Sequence, residues 1–274
     1  PRRFSCGCVF PILEAMDFRT RRQLVILLVV AIVLAGVGFF VLRPFLPAPS
    51  CTDGRRNQGE EEADCGGPCV PCAFRQQKPI EVFWVRFVKV RENAYDAAAE
   101  IKNPNVKIGA AAFAYEFKLL DTAGVAVATR RGETFLYPGE TAHLVEVGLL
   151  SGRVIQSASL AIGEVTWALS DALGPDIVAG SKEYVLEGDL AHPVSVMKAI
   201  VSNRGLRDLS GIGVSALAFD ADGNLLGAHR SVVESLPAGS AEPVKFTWPV
   251  AFATAPSSLV VEARSPSALP LPRP

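Results

Sequence analysis

The dominant feature of the hydrophobic pattern is an apolar run from Leu24 to Leu42. No charged residue interrupts it, so it lacks the polar stripe that a helix of a soluble domain presents to water. A helix over residues 24–42 at a rise of about 1.5 Å per residue is about 28 Å long, close to the hydrocarbon thickness of a bilayer. The pattern predicts a transmembrane helix that contacts the lipid bilayer.

Basic residues flank this run unequally. Three arginines lie within residues 19–22, whereas Arg43 and a proline-rich linker, residues 43–50, follow the run. Because short cytoplasmic segments carry the excess of Lys and Arg, this asymmetry predicts a cytoplasmic stub, residues 1–23, and an ectodomain outside the plasma membrane. A cleaved signal peptide is the competing interpretation, although its apolar region is usually shorter.

The start of the stub has an unusual composition. No Met precedes Met16, and a start at Met16 would give a compact basic segment directly before the apolar run. We therefore expect residues 1–15 not to be native. Cys6 and Cys8 would in any case lie in the reducing cytoplasm.

Beyond residue 80 the chain consists of short alternating runs that are broken by Gly, Pro, Asn and Asp. In the first run, Val82 and Trp84 alternate with Phe83 and Val85. Alternation with period two predicts antiparallel strands, and many short strands with turn residues between them are typical of a β-sandwich. Further strands are expected at residues 94–101, 110–120, 125–129, 143–147 and 157–167.

This pattern repeats at an offset of 99 to 100 residues. Four features align in the same order: Asn103 with Asn203, Asp121 with Asp220, Pro138 with Pro237, and Ser159 with Ser258. Repeated turn residues indicate two related units. We expect sandwiches at residues 80–168 and 184–264, a linker at 169–183, and a proline-rich disordered tail at 265–274.

The composition excludes one class of partner. The chain has 274 residues, with 27 Lys and Arg against 28 Asp and Glu. Binding of nucleic acid that is driven by net charge is therefore not expected. The mean hydropathy of +0.27 comes largely from the apolar run, so the rest of the chain has the composition of a soluble body.

Four cysteines form a compact module over residues 51–72: Cys51, Cys65, Cys69 and Cys72. Four thiols allow two disulfides, in any of three connectivities, or one tetrahedral metal site. An extracytoplasmic location favours disulfides. Cys69 and Cys72 also have the spacing of a redox pair, but no thioredoxin-like pattern surrounds them.

Oxygen ligands are interleaved with glycines in the same module, at Asp53, Asn57, Glu60 and Asp64. Such residues suit calcium, although their spacing differs from that of an EF-hand loop. The competing interpretation is a solvated acidic loop with Asx turns. We therefore expect no resident cofactor, and calcium is the alternative.

The module as a whole, C-x-D-G-x-x-N-x-G-E-x-x-x-D-C-G-G-P-C-x-x-C over residues 51–72, resembles a small cysteine module of exported and cell-surface proteins. This resemblance implies an extracytoplasmic location. It does not imply an activity.

The segment Phe117 to Asp121 resembles the F-x-L-Y-D signature of small bacterial and archaeal β-sandwich domains, which are related in fold to late-embryogenesis-abundant sandwiches. The segments 99–104 and 136–140 are similar to the same family, but Leu120 stands where the signature has Tyr. The second unit keeps only Phe219 and Asp220 of the signature. The resemblance implies immunoglobulin-like sandwiches of about seven strands, without known catalysis.

Catalytic motifs are not evident. None of the three histidines, His143, His192 and His229, has a second ligand at a suitable spacing. Asp121 and Asp220 precede hairpin glycines and are better explained as turn formers. We expect no enzymatic activity and no small-molecule substrate. Trp84, Trp167 and Trp248 lie in apolar strands and are expected to fill sandwich cores.

The sequence therefore predicts a mostly β protein with one N-terminal transmembrane α-helix, a disulfide-rich module and two tandem immunoglobulin-like antiparallel β-sandwiches. The expected function is that of a single-pass, non-catalytic cell-surface protein that serves a structural or interaction role toward an unidentified protein or envelope partner. The alternative is a metal-binding or redox-active envelope protein that acts through Cys51 to Cys72.

Overall fold

The structure is a computed structural model, and it divides the chain into two compact units, Pro1–Val70 and Pro71–Pro274. The residues that it describes are 18–42, 50–170 and 174–267. The predictions for residues 1–15, for most of the linker at 43–50 and for the end of the tail fall outside these residues.

The N-terminal helix, α1, runs from Phe18 to Leu42. It therefore begins six residues before the predicted start at Leu24. Between Arg19 and Val41 it is long and apolar enough to cross a membrane, and none of its most apolar stretch is buried. A signal sequence near an N-terminus has the same properties, so the helix fits either an anchor or a signal.

The first half of the second unit contains a short helix, α2 (Cys72–Arg75), and six strands in two three-stranded antiparallel sheets. The strands are β1 (Glu81–Arg91), β2 (Ala94–Lys102), β3 (Ile108–Asp121), β4 (Ala126–Leu136), β5 (Thr141–Leu150) and β6 (Ile155–Leu169). The sheet orders are β1-β2-β5 and β4-β3-β6. Each run that the alternation predicted as a strand falls on one of these strands.

The second half repeats this arrangement. Its strands are β7 (Ile177–Gly188), β8 (Pro193–Asn203), β9 (Leu209–Phe219), β10 (Leu225–Leu236), β11 (Ala241–Trp248) and β12 (Ser258–Arg264). The sheet orders β7-β8-β11 and β10-β9-β12 match those of the first half strand for strand. Each sandwich has six strands among the described residues, against the seven or so that the family resemblance implied. Strand β7 begins inside the stretch 169–183 that the sequence suggested as a linker.

Two buried asparagines hold equivalent corners of the two sandwiches. The Nδ2 of Asn103 donates to the carbonyls of Ile108 and Tyr137, at 2.8 and 3.0 Å. The Nδ2 of Asn203 donates in the same way to Arg207 and Leu236, also at 2.8 and 3.0 Å. Each asparagine lies at the end of a strand of one sheet, β2 or β8, and its acceptors lie in or next to two strands of the other sheet. Each side chain therefore ties the two sheets of its sandwich together.

Each sandwich has its own apolar core between its two sheets. The first is built around Phe113, Phe117 and Leu119, and the second around Phe246 and Trp248. Trp248 is 1% exposed, as its predicted core position requires. Trp167 is partly buried against the first core. Trp84 does not lie in a sandwich core, because it packs against a third cluster that lies between the two sandwiches.

The asparagine contacts generate a prediction about stability. In Asn203→Ala, the buried carbonyl of Leu236 and the partly buried carbonyl of Arg207 lose their donor, and a lost partner at a buried carbonyl costs about 1–3 kcal/mol. We expect unfolding of the protein to become easier by about 2–4 kcal/mol, measured by urea denaturation with tryptophan fluorescence. The control is Asn224→Ala at an exposed turn, for which we expect a change below about 1 kcal/mol. Equal effects of the two substitutions would contradict the role of Asn203.

Candidate functional site

The cysteine module is held by disulfides. Cys51 and Cys69 are joined, with a Cα–Cα distance of 5.6 Å. Cys65 and Cys72 are also disulfide-bonded. This confirms the prediction of two disulfides. Of the three connectivities that the sequence left open, the structure has the one that contains Cys51–Cys69.

The backbone conformation explains why the Asp-Cys-Gly-Gly motif contains two glycines. Gly66 and Gly67 both have positive φ, at 80° and 58°. A Cβ on Gly67 would lie 2.6 Å from the carbonyl oxygen of Gly59. Only glycine allows the backbone to approach this closely, so the module depends on glycine at this position.

The four calcium candidates act as internal hydrogen-bond acceptors and donors. Asp53 accepts from the backbone N–H of Arg55 at 2.8 Å and from the Nδ2 of Asn57 at 2.7 Å. These bonds, the backbone one first, lower the pKa of Asp53. Asp64 accepts from the backbone N–H of Gly54, which lies 3.0 Å from both of its carboxylate oxygens.

Glu60 is the buried member of the four, with 3% exposure. Its Oε2 accepts from the backbone N–H groups of Asn57 and Asp64, both at 3.2 Å. Its Oε1 lies 3.0 Å from the Sγ of Cys69. Within the described part of Pro1–Val70, the ligand atoms that converge within 4.8 Å are those of Cys51, Glu60 and Cys69 rather than those of the four calcium candidates.

The two sandwiches meet through a third apolar cluster. Its buried members are Ala98 and Val145 from the first sandwich and Leu217, Leu225 and Ala228 from the second. The cluster joins the outer face of the sheet β1-β2-β5 to the outer face of β10-β9-β12. The two sandwiches therefore pack sheet against sheet.

Aromatic and cationic groups surround this interface. Trp84 of β1 packs edge to face on Phe219 of β9, with ring centroids 6.0 Å apart. The Nε1 of Trp84 donates to Glu100 at 2.5 Å. The guanidinium of Arg86 lies 4.9 Å from the Trp84 ring and donates to the carbonyl of Gly223. Such a contact adds attraction when the cation is partly desolvated.

Glu146 of β5 is a buried carboxylate that links both sandwiches, with 1% exposure. It accepts from the hydroxyl of Tyr115 in β3 at 2.8 Å and from the guanidinium of Arg230 in β10 at 3.0 Å. Burial first, and then the Glu146 hydrogen bond, raise the pKa of Tyr115. The phenol therefore stays protonated and remains a donor.

Asp96 of β2 is a second buried carboxylate, with 5% exposure. Its Oδ1 accepts from the backbone N–H of Gly148 at 2.8 Å. Burial raises the pKa of Asp96 to about 6, because the charged form loses its hydration, and the hydrogen bond offsets only part of that effect.

Asp96 and Glu146 are not among the residues that the sequence pattern indicated as functional. The available signal was an acid next to apolar residues in a strand: Asp96 precedes Ala97 to Ala99, and Glu146 stands between Val145 and Val147. An acid at such a position has to find partners, because an unpaired buried charge is costly.

The histidines lie apart from one another. His143 donates its backbone N–H to Glu262 at 2.8 Å, and its Nδ1 lies 3.3 Å from the same oxygen. His192 is exposed beside Asp189. Burial lowers the pKa of His229, whose ring packs on Phe246 and Trp248. Among the described residues, no converging group of metal ligands contains a histidine.

Asp121 and Asp220 form turns. The Oδ1 of Asp121 accepts from the backbone N–H groups of Ala123 and Val125, at 2.9 and 3.0 Å. Asp220 bonds its own hairpin in the same way, through Asp222 and Asn224. The carboxylates are thus used to hold hairpin backbones, as the spacing to the following glycines predicted.

A groove of about 530 Å³ opens between the segment before β1 and strand β6. Its polar side chains are those of Gln77, Lys78 and Glu164, and Trp167 contributes an aromatic wall. Its volume is in the range of small-ligand sites. No short sequence pattern indicates this groove, because its two walls, residues 77–80 and 162–167, lie far apart along the chain.

Comparison with known proteins assigns no family. No protein-family model matches the chain, and no curated protein matches it either. Among solved structures, a red sea bream transglutaminase is similar at 14% identity and a TM-score of 0.22, over 71% of this chain and 30% of that one.

Two further solved structures show similarity at the same low level. The Amycolatopsis orientalis exo-chitosanase CsxA has 12% identity and a TM-score of 0.18, over 63% of this chain and 25% of that one. The tandem CBM22-1-CBM22-2 domain of Paenibacillus barcinonensis Xyn10C has 9% identity and a TM-score of 0.14, over 70% of this chain and 87% of that one. The chain thus spans less than a third of the first two proteins, and TM-scores this low assign neither fold nor function.

The raised pKa of Asp96 generates a prediction about pH. Folding favours the protonated acid, so its contribution to stability is greatest below the ordinary pKa of 3.8 and is lost as the pH rises toward about 6. Two pKa units correspond to about 3 kcal/mol. We expect Asp96→Asn to stabilise the protein by about 1–3 kcal/mol at pH 7.5 and to flatten the pH dependence of the melting temperature between pH 4 and 6.

The matched control for this measurement is Asp222→Asn at an exposed turn. We expect that change to leave the pH profile as it is. A destabilised Asp96→Asn at pH 7.5 would show that the buried acid is ionised and paired.

Proposed function

We propose that the protein is a single-pass membrane-anchored cell-surface protein that acts, without catalysis, as a structural or interaction module. The observation that carries this proposal is the exposure of the α1 side chains. Leu28, Leu34 and Phe40 are 63%, 64% and 71% exposed, and their neighbours along the helix are similar. A helix that is apolar on all sides needs lipid around it, because water does not solvate such a surface favourably.

The oxidised module supports an extracytoplasmic position for the rest of the chain. Disulfides persist where thiols are not kept reduced, and the module has few apolar side chains with which to build a core. Together with the arginines before α1, this favours a cytoplasmic N-terminus at the plasma membrane and a C-terminal ectodomain. The FxLYD-type resemblance favours a bacterial or archaeal cell envelope.

The packed sandwiches support an interaction role. A body with three apolar clusters presents its loops at fixed positions, which lowers the entropy lost when a partner binds. Two exposed apolar tips occupy equivalent loops, Val106 at 77% and Leu206 at 97% exposure. Each loop is held at its base by Asn103 or Asn203. Such apolar tips suit an envelope protein as the partner, and they do not suit a nucleic acid.

The alternative function is metal binding or redox activity through Cys51 to Cys72. The convergence of Cys51, Glu60 and Cys69 within 4.8 Å favours it. Both sulfurs of that group are joined to each other in a disulfide, so metal binding would require their reduction. Counting thiols and metal in the native protein separates the two functions, because the principal proposal expects four oxidised cysteines and no stoichiometric zinc, iron or calcium.

Labelling of single cysteines tests the topology. In a background with Cys6 and Cys8 replaced by Ser, Leu190→Cys introduces a thiol at a fully exposed hairpin, and Thr20→Cys introduces one before the apolar run. In intact spheroplasts we expect a membrane-impermeant maleimide to label position 190 at once and position 20 only after permeabilisation. The reverse order would overturn the proposed orientation. An intact mass that lacks α1 would identify a cleaved signal sequence instead.

A further inference from the structure

The two ends of the Cys51–Cys69 disulfide differ in exposure. Cys51 is exposed, whereas Cys69 is 8% exposed. The other two disulfide-bonded cysteines, Cys65 and Cys72, are 2% and 7% exposed. Of the four disulfide-bonded residues, Cys51 is therefore the one most open to a thiol in solution.

The buried end of the same bridge faces a carboxylate. The Oε1 of Glu60 lies 3.0 Å from the Sγ of Cys69, and a disulfide sulfur carries no proton to share with it. Two backbone N–H groups, those of Asn57 and Asp64, hold the other oxygen. The guanidinium of Arg56 donates to the main-chain oxygen of Glu60, at 3.0 Å, rather than to its carboxylate. Among the described residues, no Lys, Arg or His forms a salt bridge with this carboxylate, which lies beside Cys69.

We propose that Cys51 is the site at which external thiols exchange with this module, and that Glu60 restrains the exchange by disfavouring a thiolate on Cys69. The thiolate of a dithiol reductant attacks the Sγ of Cys51, and a new S–S bond forms. The Cys51–Cys69 bond breaks, and its electron pair remains on Cys69. The second thiolate of the reductant then displaces Cys51 from the mixed disulfide, the reductant is oxidised to its cyclic disulfide, and both cysteines take protons from water.

The first step is the one that Glu60 slows. Thiol–disulfide exchange slows as the leaving thiolate becomes less stable, and a neighbouring negative charge destabilises a thiolate. The energetic effect is strengthened by burial, since little water lies between the two groups. The carboxylate therefore prolongs the lifetime of the one bridge that is open to solvent. This inference depends on the geometry of the module and holds for either orientation in the membrane.

The test measures reduction rates in the full chain, solubilised in detergent, with Cys6 and Cys8 replaced by Ser. Dithiothreitol is added in excess, samples are quenched by alkylation, and mass spectrometry follows the loss of the Cys51–Cys69 bridge. Glu60→Gln keeps the acceptor for the two backbone N–H groups and replaces the charge beside the sulfur by an amide. We expect reduction to become about three to ten times faster, as expected when a leaving thiol becomes one to two pKa units more acidic.

The matched control is Asp64→Asn, which weakens the carboxylate bond to Gly54 without changing a group at the sulfur. We expect its rate to stay within about twofold of the parent. An equal acceleration in both variants would assign the effect to a loosened loop, and an unchanged rate in Glu60→Gln would remove the role of Glu60. Either result overturns the proposal.

A second measurement needs no change at Glu60. A monothiol such as glutathione is added to the parent chain, and the first mixed disulfide is mapped by peptide mass. We expect the adduct on Cys51, and an adduct that forms first on Cys69 overturns the proposal.

If Glu60→Gln does not form both disulfides, Glu60→Asp replaces it. The shorter side chain of Asp places the carboxylate farther from the Sγ of Cys69, so we expect the bridge to be reduced faster than in the parent chain. An unchanged rate of reduction would overturn the proposed role of Glu60.

Discussion

The apolar contact between the two sandwiches determines the arrangement of the second unit. Each sandwich closes its own core between its two sheets, and the sheet β1-β2-β5 still has a second apolar face. Ala98 and Val145 on that face are buried only because Leu217, Leu225 and Ala228 cover them. Burial of apolar area is the main favourable term in folding. Two domains that the repeat presents as separate are thereby joined in one compact unit.

Polar groups give this contact a defined geometry. Apolar packing alone tolerates small displacements between sheets, whereas a buried carboxylate tolerates few, because each lost partner leaves a desolvated charge. Glu146 requires both Tyr115 and Arg230, which come from different sandwiches. Arg264 adds a bond from the second sandwich to Glu140 of the first, at 2.7 Å. The alignment of the two domains is therefore specified by hydrogen bonds as well as by shape.

Local features of this fold could be predicted from the sequence, and contacts between distant segments could not. Period-two alternation located the strands, and the spacing of Asp121 and Asp220 to glycine located two hairpins, because both depend on neighbours a few residues away. The cysteine spacing indicated the disulfides but left their connectivity open. Glu146 and Arg230 lie in different halves of the chain, and no short pattern relates them.

One signal of the stacking was nevertheless present in β2. Tyr95, Ala97, Ala99 and Ile101 face the core of the first sandwich, and Ala98 faces the second sandwich. A strand that is apolar on both faces is typical of a sheet that is covered on both sides. Asp96 and Glu100 on the second face masked this signal, since an acid in a strand usually marks the side that faces water.

The two units illustrate different solutions to the same thermodynamic problem. A folded chain has to offset the loss of conformational entropy, and the sandwiches do so by burying apolar side chains. The segment from Cys51 to Val70 has few such side chains, and its buried positions are Glu60, Cys65, Gly66 and Cys69 instead. Its stability thus depends on a covalent bond that chemical reduction removes, whereas that of the sandwiches does not. A buried carboxylate that slows the reduction of the exposed bridge, as proposed above, would prolong the lifetime of the bond on which this stability depends.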